Sequence, residues 1–139
     1  MPYSFNIPSS KNQLRLMRKY VTEVLADHHV SEIETNMMVL AVDEVCANII
    51  IHGHAGKDFE KVSLSIDFKT EGVQFEIIDY GHAFDIVNYE EPIIGELIKN
   101  KNKGGIGIML VKKIMDSIEF QSTQNKNVLR LFKKVTFED

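Results

Sequence analysis

A chain of 139 residues, 44% hydrophobic and 26% charged, has the size and make-up of one soluble domain that buries a core without staples. A net charge of −4 argues against nucleic acid as the main partner, and a single cysteine, Cys46, excludes an internal disulfide. The opening MPYSFNIPSSK has no apolar stretch of a secretion signal and no apolar run spans a bilayer, so the expected compartment is the cytoplasm, with no membrane partner.

In chain order, Tyr3 to Ile7 alternates and predicts a short strand, which Pro8 stops. Ser10 with Gln13 has the form of a capping box for a helix from about 11 to 28. Its apolar stripe is Leu14, Met17, Tyr20 or Val21, Val24 and Leu25. A second box, Ser31 with Glu34, opens a helix to about His52, where Gly53 and Gly56 break it. Met38, Ala41, Val42, Val45 and Ile49 suit a core face on this helix, and Cys46 reads as a small core residue rather than a reactive thiol. Val62, Leu64, Ile66 and Phe68 then alternate with polar residues, Thr70-Glu71-Gly72 turns the chain, and Val73, Phe75 and Ile77 lead back to Ile78-Asp79. Residues 79–104 lose this rhythm to Gly81, Pro92, Gly95, Gly104 and a polar run over 99–103. A short helix near 90–98 fits within them, and the rest reads as a loop long enough to be functional. A helix over about 106–116 follows, then strands Ser117–Thr123 and Val128–Phe137 joined by Gln124-Asn125-Lys126-Asn127. No repeat or linker divides 1–139. The pattern predicts an α+β, two-layer sandwich: about four antiparallel strands covered on one face by helices, without the parallel rhythm of a Rossmann fold.

Three segments carry candidate chemistry. In AVDEVCANIIIHG, residues 41–53, Glu44, Asn48 and His52 recur every four residues and share one helix face. A carboxylate in so apolar a helix needs solvent or a partner. Against a nucleotide, Glu44 suits a general base and the amide oxygen of Asn48 suits a hard cation such as Mg²⁺. The plainer readings are an edge carboxylate, an i,i+4 hydrogen bond between Asn48 and Glu44, and a helix-closing His52. In DYGHAFD, residues 79–85, Asp79 ends an apolar strand and Gly81 lets the backbone approach a flat ligand. Such an acid accepts a hydrogen bond from an exocyclic amine like that of adenine, although an Asp-x-Gly turn is common for structural reasons. In GGIGIMLVKKIMD, residues 104–116, Gly104, Gly105, Ile106 and Gly107 read as a loop entering a helix at Ile108, with free N–H groups for phosphate oxygens. Lys103 just before it either offsets phosphate charge or is simply solvated.

In this order the three segments resemble the ATP-binding domain shared by gyrase, a heat-shock chaperone, histidine kinases and the MutL repair protein: the GHKL, or Bergerat, fold. The short stand-alone form is similar to the anti-sigma-factor serine/threonine kinases of bacterial partner switching, over nearly the whole chain. The resemblance implies a base at Glu44, a magnesium ligand at Asn48 and a nucleotide-contacting His52 one turn on. It implies adenine recognition by Asp79 with Gly81 behind the ring, a phosphate-binding turn over residues 103–108, and a lid over about 86–104. Ala83 stands where the family pattern Asp-x-Gly-x-Gly has its second glycine; a methyl group leaves room for adenine and bears on the lid hinge and kinase rate. The expected cofactors are ATP or ADP with Mg²⁺. The expected partners are a small antagonist protein as phosphorylation substrate, a sigma factor or other regulator, and a second copy in a homodimer. The rival readings are a nucleotide-binding interaction module with little or no transfer, and a histidine-phosphorylating sensor-kinase domain.

Overall fold

The computed structural model describes residues 3–8, 13–49, 61–80, 103–123 and 126–138. They form β1 (Tyr3–Pro8), α1 (Leu14–Asp27), α2 (Glu32–Asn48), β2 (Lys61–Phe68), β3 (Gly72–Asp79), α3 (Lys103–Ile114), β4 (Ser117–Thr123) and β5 (Lys126–Lys134). The strands make one five-stranded sheet in the order β1-β2-β3-β5-β4, and every described pairing is antiparallel. The sheet is thus one strand wider than the expected four. Tyr3–Pro8 joins as an edge strand along β2, a long-range pairing that alternation alone does not reveal.

Period-2 alternation sends Val62, Leu64 and Ile66 of β2, Val73, Phe75 and Ile77 of β3, and Leu129 and Leu131 of β5 to one buried face. Register aligns them in rungs: Ile66, Phe75, Leu131 and Ile118 form one, and Leu64, Ile77, Leu129 and Phe120 the next. Against this face pack Met17, Val21 and Leu25 of α1, Met38, Ala41, Val42 and Val45 of α2, and Ile108 and Val111 of α3. The opposite face is polar, and Arg130 there pairs with Glu76 at 2.9 Å and, more loosely, with Glu119 at 3.9 Å. No helix among the described residues is long and apolar enough to cross a membrane.

The helix ends follow local chemistry. Ser31 caps α2: its Oγ accepts from the Glu34 N–H at 3.2 Å and donates to Glu34 Oε1 at 3.1 Å. α1 starts at Leu14 with Gln13 at the cap position and no side-chain cap bond, and the expected box residue Ser10 lies outside the described residues. α1 closes in a Schellman motif: the Val30 N–H returns to the Leu25 carbonyl, the His29 N–H to that of Ala26, and His29 takes φ 63°. In the β2–β3 turn a Cβ on Gly72 would run into the Lys133 carbonyl, so a side chain is excluded there.

Candidate functional site

α2 delivers two of the candidate residues. Asn48 is buried, and its Nδ2 donates to the Glu44 carbonyl oxygen at 2.7 Å. A carbonyl can only accept, so the amide nitrogen faces the helix backbone and Oδ1 points away from that bond. The i,i+4 hydrogen bond considered from sequence therefore exists, but it goes to the Glu44 backbone and leaves the carboxylate uninvolved. Glu44 is half-buried, and its pKa is raised, first by burial and then by the adjacent Asp43 carboxylate. Asp43 in turn pairs with Arg18 of α1 at 3.1 Å, tying the two helices together beside Glu44. Cys46 is fully buried; burial, with Asp43 and Asp79 nearby, pushes its thiol far above the usual range, consistent with a core residue.

β3 delivers the third. Asp79 continues the inward alternation of Val73, Phe75 and Ile77, so it faces the core side and is only 3% exposed. It lines a small pocket, of about 10 Å³, with Val45, Ile49, Ile108, Phe120, Asn127 and Leu129 as the other walls. Val45 of α2 and its C-cap Ile49, the end of β3 and α3 meet at this pocket; Glu44 and Asn48, the residues just before Val45 and Ile49, are not among its walls. Its walls are mostly apolar, with the buried side chains of Asp79 and Asn127 as the polar groups.

The rung at this end of the sheet is polar. Asp79 registers with Asn127 of β5, and Asn127 with Ser122 of β4. Ser122 Oγ donates to Asn127 Oδ1 at 2.7 Å, and Asn127 Nδ2 donates to Asp79 Oδ2 at 3.3 Å. Sequence reasoning placed Asn127 in a turn. The structure begins β5 at Lys126, with Asn127 inside it. The available signal was spacing: Asn127, Leu129 and Leu131 share one period-2 face.

Helix α3 starts at Lys103, three residues before the expected position, so Gly104, Gly105, Ile106 and Gly107 belong to its first turn rather than to a loop before it. Free N–H groups belong to the first turn of any helix, so an anion seat here needs no separate loop. The expected lid correspondingly gives up 103–104 to the helix. Ile108 is buried and lines the pocket. His52, Gly81, Ala83, the expected short helix near 90–98, the side chain of Lys103 and the rest of the lid lie outside the described residues.

The sequence profile of one family, the histidine kinase-like ATPase domain, matches residues 7–133. The chain belongs to the histidine kinase-like ATPase domain family. A serine-protein kinase RsbW of Bacillus pumilus is 26% identical over 128 residues, which cover 88% of this chain and 79% of that protein. An RsbW of Bacillus cereus is 23% identical over 96 residues, 66% of this chain and 59% of that protein's length. In three dimensions the fold is similar to the RsbU and RsbW domains of a Mycobacterium tuberculosis protein, with TM-score 0.71 and 14% identity over 97% of this chain and 32% of that one. It is also similar to a chain of the SiaB–SiaC complex from Pseudomonas aeruginosa, with TM-score 0.65 and 14% identity over 94% of this chain and 88% of that one. Two acceptors stand out: the buried carboxylate of Asp79, and the Asn48 amide oxygen, whose nitrogen is held by the Glu44 carbonyl.

Proposed function

We propose that this chain is an ATP-dependent serine/threonine protein kinase of a partner-switching system. It would phosphorylate a small antagonist protein and, in its other state, hold a sigma factor or similar regulator inactive. The observation that carries the reading is the buried carboxylate of Asp79 facing Val45 and Ile49 across one pocket, each next in sequence to Glu44 and Asn48. The name of the relatives, serine-protein kinase RsbW, supports the same class of activity.

Each residue then has a task. Asp79 accepts a hydrogen bond from the adenine amine, and the resemblance assigns Gly81 and Ala83 to the same base site. Asn48 offers Oδ1 to Mg²⁺, while its Nδ2 bond to the Glu44 carbonyl holds the amide in place. The start of α3 presents the free backbone N–H groups of its first four residues, Lys103 to Ile106, to phosphate oxygens, and the resemblance assigns His52 a contact with the same nucleotide. Bound Mg-ATP supplies the phosphoryl group and neutralises part of its charge, and ADP is left in the same seat. Glu44 takes the proton of the incoming serine or threonine hydroxyl. Its raised pKa suits this, because a carboxylate whose charge burial and Asp43 disfavour is a stronger base. The working form is a homodimer, as the resemblance implies.

Incubation with γ-labelled ATP and a candidate antagonist protein tests the reading. Label on a serine or threonine of the antagonist, absent with Glu44→Gln, is the expected outcome. Tight ATP binding with no transfer to any antagonist would favour the interaction module. Asn48→Ala should weaken ATP binding by ~10-fold or more in magnesium and far less in EDTA, measured by calorimetry. Equal losses in both buffers would remove Asn48 as the metal ligand.

A further inference from the structure

This inference rests on the proposed kinase activity, with Glu44 as the base that meets a serine or threonine of another protein. α1 and α2 both pack on the sheet, yet their outward faces differ. α1 exposes Arg15, Lys19, Thr22 and Glu23, the polar face expected of a surface helix. α2 carries apolar residues around most of its girth. Besides its core face it has a row of Ile33, Met37, Leu40 and Glu44, spaced by four, three and four residues and so aligned along the helix. Ile33 is 75% exposed and Leu40 41%, while Met37 and Glu44 are half-buried. A helix apolar on all sides is normally covered on all sides, and the described residues leave this row open.

We infer that the row Ile33–Met37–Leu40 is the docking surface for the antagonist protein whose hydroxyl Glu44 deprotonates, and that this partner presents apolar side chains beside its phosphorylated residue. Area decides the occupant. A stable protein–protein contact covers about 800 Å² on each partner, a disc of roughly 16 Å radius. Along the helix axis Leu40 lies about 6 Å from Glu44, Met37 about 10 Å and Ile33 about 16 Å. A protein centred on Glu44 therefore covers Leu40 and Met37 and reaches Ile33 at its rim. A second copy seated on the row would shut Glu44 off from its substrate, so homodimerisation uses another face.

Transfer to the antagonist that the wild-type chain labels, followed at varied antagonist concentration, tests this on Leu40→Asp and Ile33→Asp. Leu40→Asp sets a charge against an apolar contact and should raise the KM for the antagonist by ~10-fold or more. Ile33→Asp, at the rim, should raise it by only ~3-fold. ATP affinity by calorimetry should stay within about twofold of wild type in both, since neither residue meets the nucleotide. A Leu40→Asp chain with the wild-type antagonist KM overturns the inference while leaving the kinase reading intact. If that variant does not fold, an unchanged KM in Ile33→Asp, the more exposed position, overturns it equally. A wild-type dimer that either variant turns into a monomer in light scattering assigns the row to a second copy and overturns the inference too. A wild-type chain that labels no antagonist removes the kinase reading and this inference with it.

Discussion

Glu44 holds its proton more tightly in the folded chain than in the unfolded one, because burial and Asp43 both disfavour its charge. Between the ordinary carboxylate value and the raised one, the folded state binds a proton that the unfolded chain has released. Stability therefore falls as pH rises through that window, and above it the charged Glu44 is a standing penalty. Glu44→Gln should melt slightly higher than wild type at about pH 7.5, and the gain should vanish as pH drops below ~4. The same variant should lose phosphoryl transfer by ~10²–10⁴-fold while still binding nucleotide. A melting advantage that persists unchanged in acid would show that charge is not its cause. Thr35 offers a second case at this scale. It is 4% exposed in α2, and its Oγ1 finds no hydrogen-bond partner among the described residues. Thr35→Val keeps the branched shape and removes an unsatisfied hydroxyl, so it should stabilise by ~1 kcal/mol in urea unfolding. A loss of stability would mean the hydroxyl has a partner after all.

Elements explain which parts could be read in advance. The two long helices and the β2–β3 hairpin show in the chain because their periods, 3.6 and 2, repeat over many residues. The Ser31–Glu34 cap was legible because both partners lie within one turn. The start of α1 at Leu14 was not, since a serine three residues before a glutamine is common outside caps. Asp79 was legible as an acid closing an apolar strand. Its partner Asn127 was not, because Gln, Asn and Lys around it look like a turn, and only the pairing with β3 draws it into a strand. The α1–α2 connection yields a prediction of its own. His29 adopts a left-handed backbone in a motif where glycine carries no Cβ penalty. His29→Gly should therefore stabilise the fold by ~1 kcal/mol, read as a shifted midpoint with an unchanged urea slope. A destabilised variant would show that the imidazole makes contacts worth more than the strain it brings.

Across the whole molecule the sheet has two unlike ends. At one end the polar rung of Ser122, Asn127 and Asp79 borders the pocket. At the other, aromatic rings gather the chain: His28 stacks on Phe68 with centroids 3.7 Å apart, Tyr3 meets both edge-on, and Phe137 of the C-terminal tail reaches Phe68 at 6.3 Å. His28 Nδ1 bonds the Val24 carbonyl, which can only accept, so in the neutral ring Nε2 receives the Tyr3 hydroxyl. Backbone ties follow the tail as well, from the Val135 N–H to the Glu71 carbonyl and from the Glu138 N–H to that of His29. β1, the end of α1, β2 and the tail thus close on one another far from the pocket. Along β3, seven steps at about 3.4 Å separate Gly72 from Asp79, a span of roughly 24 Å. Packing lost at the aromatic end should therefore reduce stability without touching the nucleotide seat. Phe137→Ala removes a half-buried ring and should destabilise by about 1–2 kcal/mol, less than a fully buried phenylalanine would. Its ATP affinity, measured well below the new melting temperature, should stay within about twofold of wild type. A fall in affinity that tracks the fall in stability would mean that the two ends are coupled through the sheet, and the aromatic cluster would then have to be counted as part of the binding apparatus.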